Sequence, residues 1–170
     1  ARAGTRLISP PAGEGPAFIV RTDGAARGNP GPASAGAALF RADRPDARDP
    51  RAVPDASISD YLGIQTNNVA EYTGVVRALE LARDLGATEV RLLLDSKLIV
   101  EQLSGRWRVK DAKLIPLWAA ARQTLHGFRR WTATHVPRAQ NTVADALANE
   151  AIDRTVAGGP ASVVRRPERV

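Results

Sequence analysis

The segment Glu89–Leu94 (EVRLLL) limits the folds open to this chain more than any other stretch. It is a dense apolar run of strand length that ends at Asp95, and a helix covering Ser96 to Leu103 follows directly. A second apolar run, Ala17–Thr22 (AFIVRT), suits another buried strand, and Ala35–Arg41 (AGAALFR) reads as its hairpin partner across the turn-forming GNPGP. Residues 42–55 form a polar, proline-bearing connection to a third strand, Ala56–Ile64. Val75, Ala78, Ala82 and Leu85 then recur at helical spacing, in a helix that runs from an Asn68 cap to Gly86. A further helix is expected over Asp111–Gly127, with Pro116 marking or kinking its early turns, then a last strand, Arg129–His135. Asn141 caps a final helix to Arg154, with Ala144, Leu147, Ala148, Ala151 and Ile152 inward. Three strands in meander followed by helix, strand, helices, strand and helix predict a mixed α/β domain over residues 17–154. Residues 1–16 read as a disordered lead and 155–170 as a linker or basic tail.

At 170 residues the chain fits one domain with a substantial core. It has no cysteine, so a disulfide framework and zinc–cysteine sites are excluded. No apolar run approaches the ~20 residues of a membrane span and no signal-peptide pattern is present, so a cytoplasmic protein without membrane contact is expected. The net charge of +6 tilts toward a polyanionic partner. The tilt is mild, because arginine outnumbers lysine 21 to 3, as a GC-rich genome would produce whatever the function.

Four carboxylates stand at element ends. Asp23 ends the first strand, Glu71 opens the first long helix, Asp95 ends the fourth strand, and Asp145 lies in the first turn of the last helix. Each has a structural explanation when taken alone. Asp23 can start an Asx turn, Glu71 can complete a capping box with Asn68, Asp95 can cap the next helix, and Asp145 can complement a helix dipole. Taken together they point elsewhere. If the first and fourth strands are parallel neighbours, Asp23 and Asp95 stand side by side, and the starts of both helices can reach the same point. Four converging carboxylates repel unless cations fill the space, and oxygen-only ligands suit Mg²⁺ or Mn²⁺. Two such ions about 4 Å apart form a clamp for displacement at a phosphodiester.

The stretches TDGAARGNPGP (22–32), TNNVAEY (66–72), LLLDS (92–96) and HVPRAQNTVADALANEA (135–151) resemble type 1 ribonuclease H, in order and at compatible spacing. The resemblance covers residues 17–154. It implies a three-layer fold with a five-stranded mixed sheet: a three-strand antiparallel meander plus two parallel strands, flanked by helices. It implies endonucleolytic hydrolysis of the RNA strand of RNA–DNA hybrids by two Mg²⁺ ions, with Mn²⁺ as a substitute, giving 5′-phosphate and 3′-hydroxyl ends. By motif position, Asp23, Glu71, Asp95 and Asp145 become metal ligands, and His135 a mobile residue for proton transfer or product release. Asn29, Asn67 and Asn68 match positions that contact the hybrid in its minor groove, where the 2′-OH marks RNA. Thr66 matches a residue that holds a DNA-strand phosphate. A monomer is expected, and some relatives of this kind continue into a further domain, which here would lie beyond residue 170.

The chain also departs from the family. Many bacterial members carry a lysine- and tryptophan-rich protrusion that grips substrate, and LSGRWRVKDAKLIPLW leaves no room for it. Arg27, Arg106, Arg108, Lys110 and Lys113 remain as candidate phosphate contacts, and Trp107 as either a stacking platform or a core residue. Ile64 stands where some relatives place a basic residue. Tail arginines Arg165, Arg166 and Arg169 are candidates to replace the missing grip. Two other readings compete: a resolvase- or integrase-like nuclease of the wider superfamily, and a non-catalytic hybrid-binding domain.

Overall fold

The two apolar runs marked as buried strands lie side by side inside one sheet. β1 (Ala17–Ala26) pairs in parallel with β4 (Glu89–Leu94), from Ala17 opposite Glu89 to Thr22 opposite Leu94. The computed structural model describes residues 15–167, so the expected disordered lead falls almost wholly outside the described residues. The remaining elements are β2 (Gly31–Arg41), β3 (Ala56–Gln65), α1 (Asn67–Asp84), α2 (Lys97–Leu103), α3 (Ile115–His126), β5 (Arg130–His135), α4 (Thr142–Val156) and β6 (Ser162–Arg165), with a 3₁₀ turn at Arg138–Gln140 before α4. The strand order is β5-β4-β1-β2-β3-β6. β1, β2 and β3 form the expected antiparallel meander, and β5 runs parallel to β4.

Alternation along β1 divides the core between the two faces of the sheet. Phe18 and Val20 pack with Tyr72, Leu79, Leu92, Leu103 and Leu125 beneath α1, α2 and α3. Ile19 packs with Phe40, Leu147 and Val136 beneath α4, where Ala47 and Ala52 of the 42–55 connection close the layer. Burying one such leucine contributes about 1.5–3 kcal/mol. The three-layer α/β arrangement is the one expected.

Three expectations need correction. Among the described residues the sheet has six strands: Ser162–Arg165, read as tail, pairs antiparallel with β3. Arg154 Nη2 donates to Ser59 O at 2.7 Å and its Nε to Pro160 O at 2.6 Å, which pins the chain as it turns into β6. Ser162 Oγ donates to Asp60 Oδ1 at 2.5 Å, and Arg77 pairs with the same buried carboxylate. Arg165 lies opposite Ser57 and Arg166 pairs with Asp84 at 3.9 Å, both at the sheet end remote from the C-termini of β1 and β4. These two arginines thus stand at the opposite end of the sheet from the carboxylates, and Arg169 lies outside the described residues. Second, α1 is capped by Thr66, whose Oγ1 accepts from Val69 N–H at 3.3 Å. Asn68 is already helical, and Glu71 is not a capping partner. Third, α3 starts only at Ile115, with Pro116 in the first turn, where its missing N–H forfeits no helical bond.

Two glycines let helices touch the sheet where the site forms. A Cβ at Gly24 would stand 2.6 Å from the Ala70 carbonyl carbon, and one at Gly36 would stand 2.6 Å from Ala148 N and clash with Ala144 O. Gly36 faces Asp23 across the β1–β2 ladder. Gly36→Ala is expected to push α4 off the sheet and cost about 3 kcal/mol, as overpacking does, measured by urea denaturation. An unchanged midpoint would show that α4 gives way freely.

Candidate metal centre

Asp23 follows Thr22, the last β1 residue paired with β4, and Asp95 follows Leu94, so the parallel register sets the two carboxylates together. Gly24 brings α1 against β1 and delivers Glu71 from one layer. Oxygens of Asp23, Glu71 and Asp95 all lie within 4.8 Å of one another. Asp145 enters from the other layer, in the first turn of α4, and shares a hydrogen bond with Asp23. Arg138 stands over the group, 3.8 Å from Asp145.

The crowding shifts protonation. Burial, the Asp145 hydrogen bond and the charges of Asp95, Asp145 and Glu71 push Asp23 up to about 8. Burial and then Asp95 push Glu71 up to about 7, opposed by a hydrogen bond from Ser96 and by Arg138. Three hard oxygen donors with no basic side chain between them fit a divalent cation of the Mg²⁺ type, which would replace the protons that now relieve the repulsion.

A groove of about 470 Å³ opens beside these carboxylates, lined also by Arg27, Asn67, Asn68, Arg138 and Asn149. Asn29 Oδ1 accepts from Asn67 N–H at 3.1 Å, so the GNPGP turn and the start of α1 form one rim. Thr66 spends an oxygen lone pair on its cap bond and keeps its hydroxyl proton for another partner. His135 ends β5 opposite Leu94; it is exposed, with Nε2 3.2 Å from Asp95 O.

The candidates in the connection after α2 stand apart from this groove. Arg106 is paired bidentately with Glu101. Trp107 is 45% exposed with Lys97 Nζ 5.9 Å from its ring centre, so the core alternative is excluded. Arg108, Lys110 and Lys113 are exposed and, among the described residues, without ion pairs; Arg27 pairs with Asp153 at 2.6 Å. Ile64 is 63% exposed. Residues 104–114 contain no helix, and no protrusion interrupts them. Sequence reasoning missed Ser96, Arg138 and Asn149. Arg138 was signalled by its place in HVPRAQN, three residues after His135 at the entry to α4.

Comparison with known proteins gives this geometry a lineage. Residues 21–151 match the family model described as reverse transcriptase-like. The bifunctional protein Rv2228c of Mycobacterium tuberculosis is 47% identical over 135 residues, covering 79% of this chain and 35% of that protein. Ribonuclease HI of Halobacterium salinarum is 46% identical over 131 residues, 77% of this chain and 62% of the relative. The crystal structure of LC11-RNase H1 in complex with an RNA/DNA hybrid superposes with a TM-score of 0.72 at 36% identity, covering 82% of this chain and 99% of that one. The chain belongs to the type 1 ribonuclease H family. It spans about a third of the length of the mycobacterial relative and under two thirds of the halobacterial one.

The raised carboxylate pKa values set the pH dependence of this ribonuclease H domain. Unfolded Asp and Glu titrate near 3.9 and 4.3, far below the folded values of about 8 and 7. The native metal-free protein therefore holds protons that the unfolded chain releases. Its stability penalty is absent below about pH 4, grows as pH rises, and is complete above about pH 8. In EDTA the melting temperature is expected to fall between pH 5.5 and 8.5, less steeply in Asp23→Asn, and Mg²⁺ or Mn²⁺ should restore it at pH 8.5. Identical slopes for both proteins would refute the shared-proton cluster.

Proposed function

We propose that this chain hydrolyses the RNA strand of RNA–DNA hybrids endonucleolytically, leaving 5′-phosphate and 3′-hydroxyl ends. The observation that carries the reading is the convergence of Asp23, Glu71 and Asp95 within 4.8 Å, with Asp145 bonded to Asp23, at the head of a groove rimmed by asparagines. Family membership supports it, and so does the hybrid held by LC11-RNase H1. Asp23, Glu71, Asp95 and Asp145 would hold two Mg²⁺ ions, or Mn²⁺ in their place. When bound, such ions lower the pKa of water and offset charge on the leaving 3′-oxygen.

The chain's own residues supply recognition and proton traffic. Asn67 and Asn68 present amide donors and acceptors to ribose 2′-hydroxyls, and Asn29, tied to the Asn67 backbone, keeps the rim closed against the minor groove. Thr66 donates its hydroxyl proton to a DNA-strand phosphate. His135 carries a proton on Nε2 between the site and solvent, which its exposure and lack of a carboxylate hydrogen bond permit. Arg27, Arg106, Arg108 and Lys110 give sequence-independent phosphate contacts, with Trp107 as a stacking surface. The same reading takes residues 17–154, completed by β6, as a catalytic unit that acts as a cytoplasmic monomer. A further domain would follow residue 170, as the length of the bifunctional relative suggests.

Incubation with end-labelled RNA–DNA hybrid, double-stranded RNA and double-stranded DNA, each with Mg²⁺ or EDTA, tests the assignment. Only hybrid with Mg²⁺ should be cut. Asp23→Asn, Glu71→Gln and Asp95→Asn should each abolish nearly all turnover while the fold persists, and Asp145→Asn should be milder. His135→Ala should slow turnover by roughly one to two orders of magnitude. Near-normal turnover in any of the first three variants would overturn the ligand assignment.

A further inference from the structure

Arg21 is a charged residue in the middle of a core strand. It is 2% exposed, between Val20 and Thr22 on β1, and no carboxylate pairs with it among the described residues. Its guanidinium instead reaches two backbone carbonyls. Nη1 donates to Gln140 O at 3.0 Å and Nη2 to Arg48 O at 3.3 Å, while Nε is buried without a partner. Among the described residues the charge that acts on it is that of Arg48, which repels it. A buried cation held by neutral partners is costly, and an apolar residue of similar length would satisfy the packing better. Stability does not explain its presence.

Its partners suggest what does. Gln140 closes the 3₁₀ turn Arg138–Gln140, which carries the Arg138 guanidinium over the carboxylate cluster. Asn141, the next residue, is fully buried and donates from Nδ2 to Thr22 O at 3.2 Å, although it stands at the N-cap position of α4 and makes no side-chain cap bond. Two consecutive residues of β1, Arg21 and Thr22, are thus bonded to two consecutive residues of the α4 entry, Gln140 and Asn141. The first pair leads directly into Asp23. The second leads, within one helical turn, to Asp145.

We propose that Arg21 is a positioning residue for the active site: with Asn141 it clamps the α4 entry to β1, fixing Arg138 and Asp145 relative to Asp23. The clamp rests on the ribonuclease H reading for its catalytic consequence, whereas its mechanical part does not. Its second bond, to Arg48 O, holds the 42–55 connection against the same turn. Removing the guanidinium while keeping the volume frees the turn at Gln140 and leaves the sheet pairing of β1 untouched, because that pairing uses the backbone alone.

The test is Arg21→Met beside Arg21→Lys in the full chain. Arg21→Met is expected to keep or raise the melting temperature, to lower kcat on RNA–DNA hybrid about tenfold, and to leave KM within twofold. Arg21→Lys, which can still reach one carbonyl, should recover part of kcat. Hydrogen exchange at Gln140, Asn141 and Asp145 N–H should quicken at least tenfold in Arg21→Met, with α1 amides unchanged. Wild-type exchange at those three amides overturns the clamp. Quickened exchange with wild-type kcat overturns its catalytic role, and so does a kcat loss that merely follows a fallen melting temperature. If the wild-type chain itself fails to cut hybrid, the functional reading falls, while the exchange result still decides the clamp.

Discussion

Mutual repulsion among carboxylates governs the middle of this molecule. Negative charges a few ångströms apart in a partly buried setting would drive α1, α4 and the ends of β1 and β4 apart if nothing held them. What holds them is packing done elsewhere: Leu79 and Val75 beneath α1, and Ala144, Ala148 and Ile152 beneath α4, all buried against the sheet. Gly24 and Gly36 then set how close each helix comes, since any side chain there would strike helix backbone. In the metal-free state protons taken up by Asp23 and Glu71 relieve part of this repulsion. A divalent cation held there would offset the same repulsion with the carboxylates ionised. Strain of this kind, maintained by a core that gains nothing from it, is what a functional site costs a fold.

The parts legible in the sequence are those that local pattern dictates. Glu89–Leu94 and Ala17–Thr22 are strands because their apolar residues fit an enclosed layer, and their parallel pairing follows from the helix between them. The four carboxylates were readable as a group because strand ends and helix starts carry position with them. What the sequence hid was settled by contacts distant in the chain. β6 is only four residues long and without period, and it pairs because Arg154, Asp60 and Ser162 hold it there, across about a hundred residues. Thr66 displaced Asn68 as the cap because β3 continues through Gln65, leaving Thr66 in extended geometry at the helix entry. β1 runs four residues past Thr22 because β2 pairs with it to Ala26, so Asp23 lies within a strand and not in an Asx turn.

The absence of a basic protrusion shifts the burden of substrate binding onto the groove. Arg106 is paired with Glu101 and Arg27 with Asp153, so each must leave its carboxylate partner to meet a phosphate. Arg108, Lys110 and Lys113 remain on the connection after α2, next to an exposed Trp107 whose face is already occupied on one side by Lys97. Each phosphate contact adds counterion release to binding, so on the proposed reading few contacts would give a modest affinity and leave most discrimination to groups that sense the 2′-hydroxyl. On the proposed reading, placement of the Asn67–Asn68 rim would matter more than charge, and the bond from Asn67 N–H to Asn29 ties that rim to the GNPGP turn.

Arg21 and Asn141 show the same economy on the other side of the site. Both are buried polar residues with an atom left unpaired, Nε of one and Oδ1 of the other, in a protein whose remaining buried polar side chains find partners among the described residues. Unpaired buried groups are retained where geometry is worth more than stability. Here the geometry is that of a helix whose first turn must place Asp145 against Asp23 in spite of their charges. Ordinary capping would have turned the Asn141 side chain inward to the α4 backbone and left the Arg21–Gln140 bond as the side-chain tie between β1 and the α4 entry. Turned instead to the Thr22 carbonyl, it sacrifices a helix cap to fix the helix to the strand that carries the opposing carboxylate.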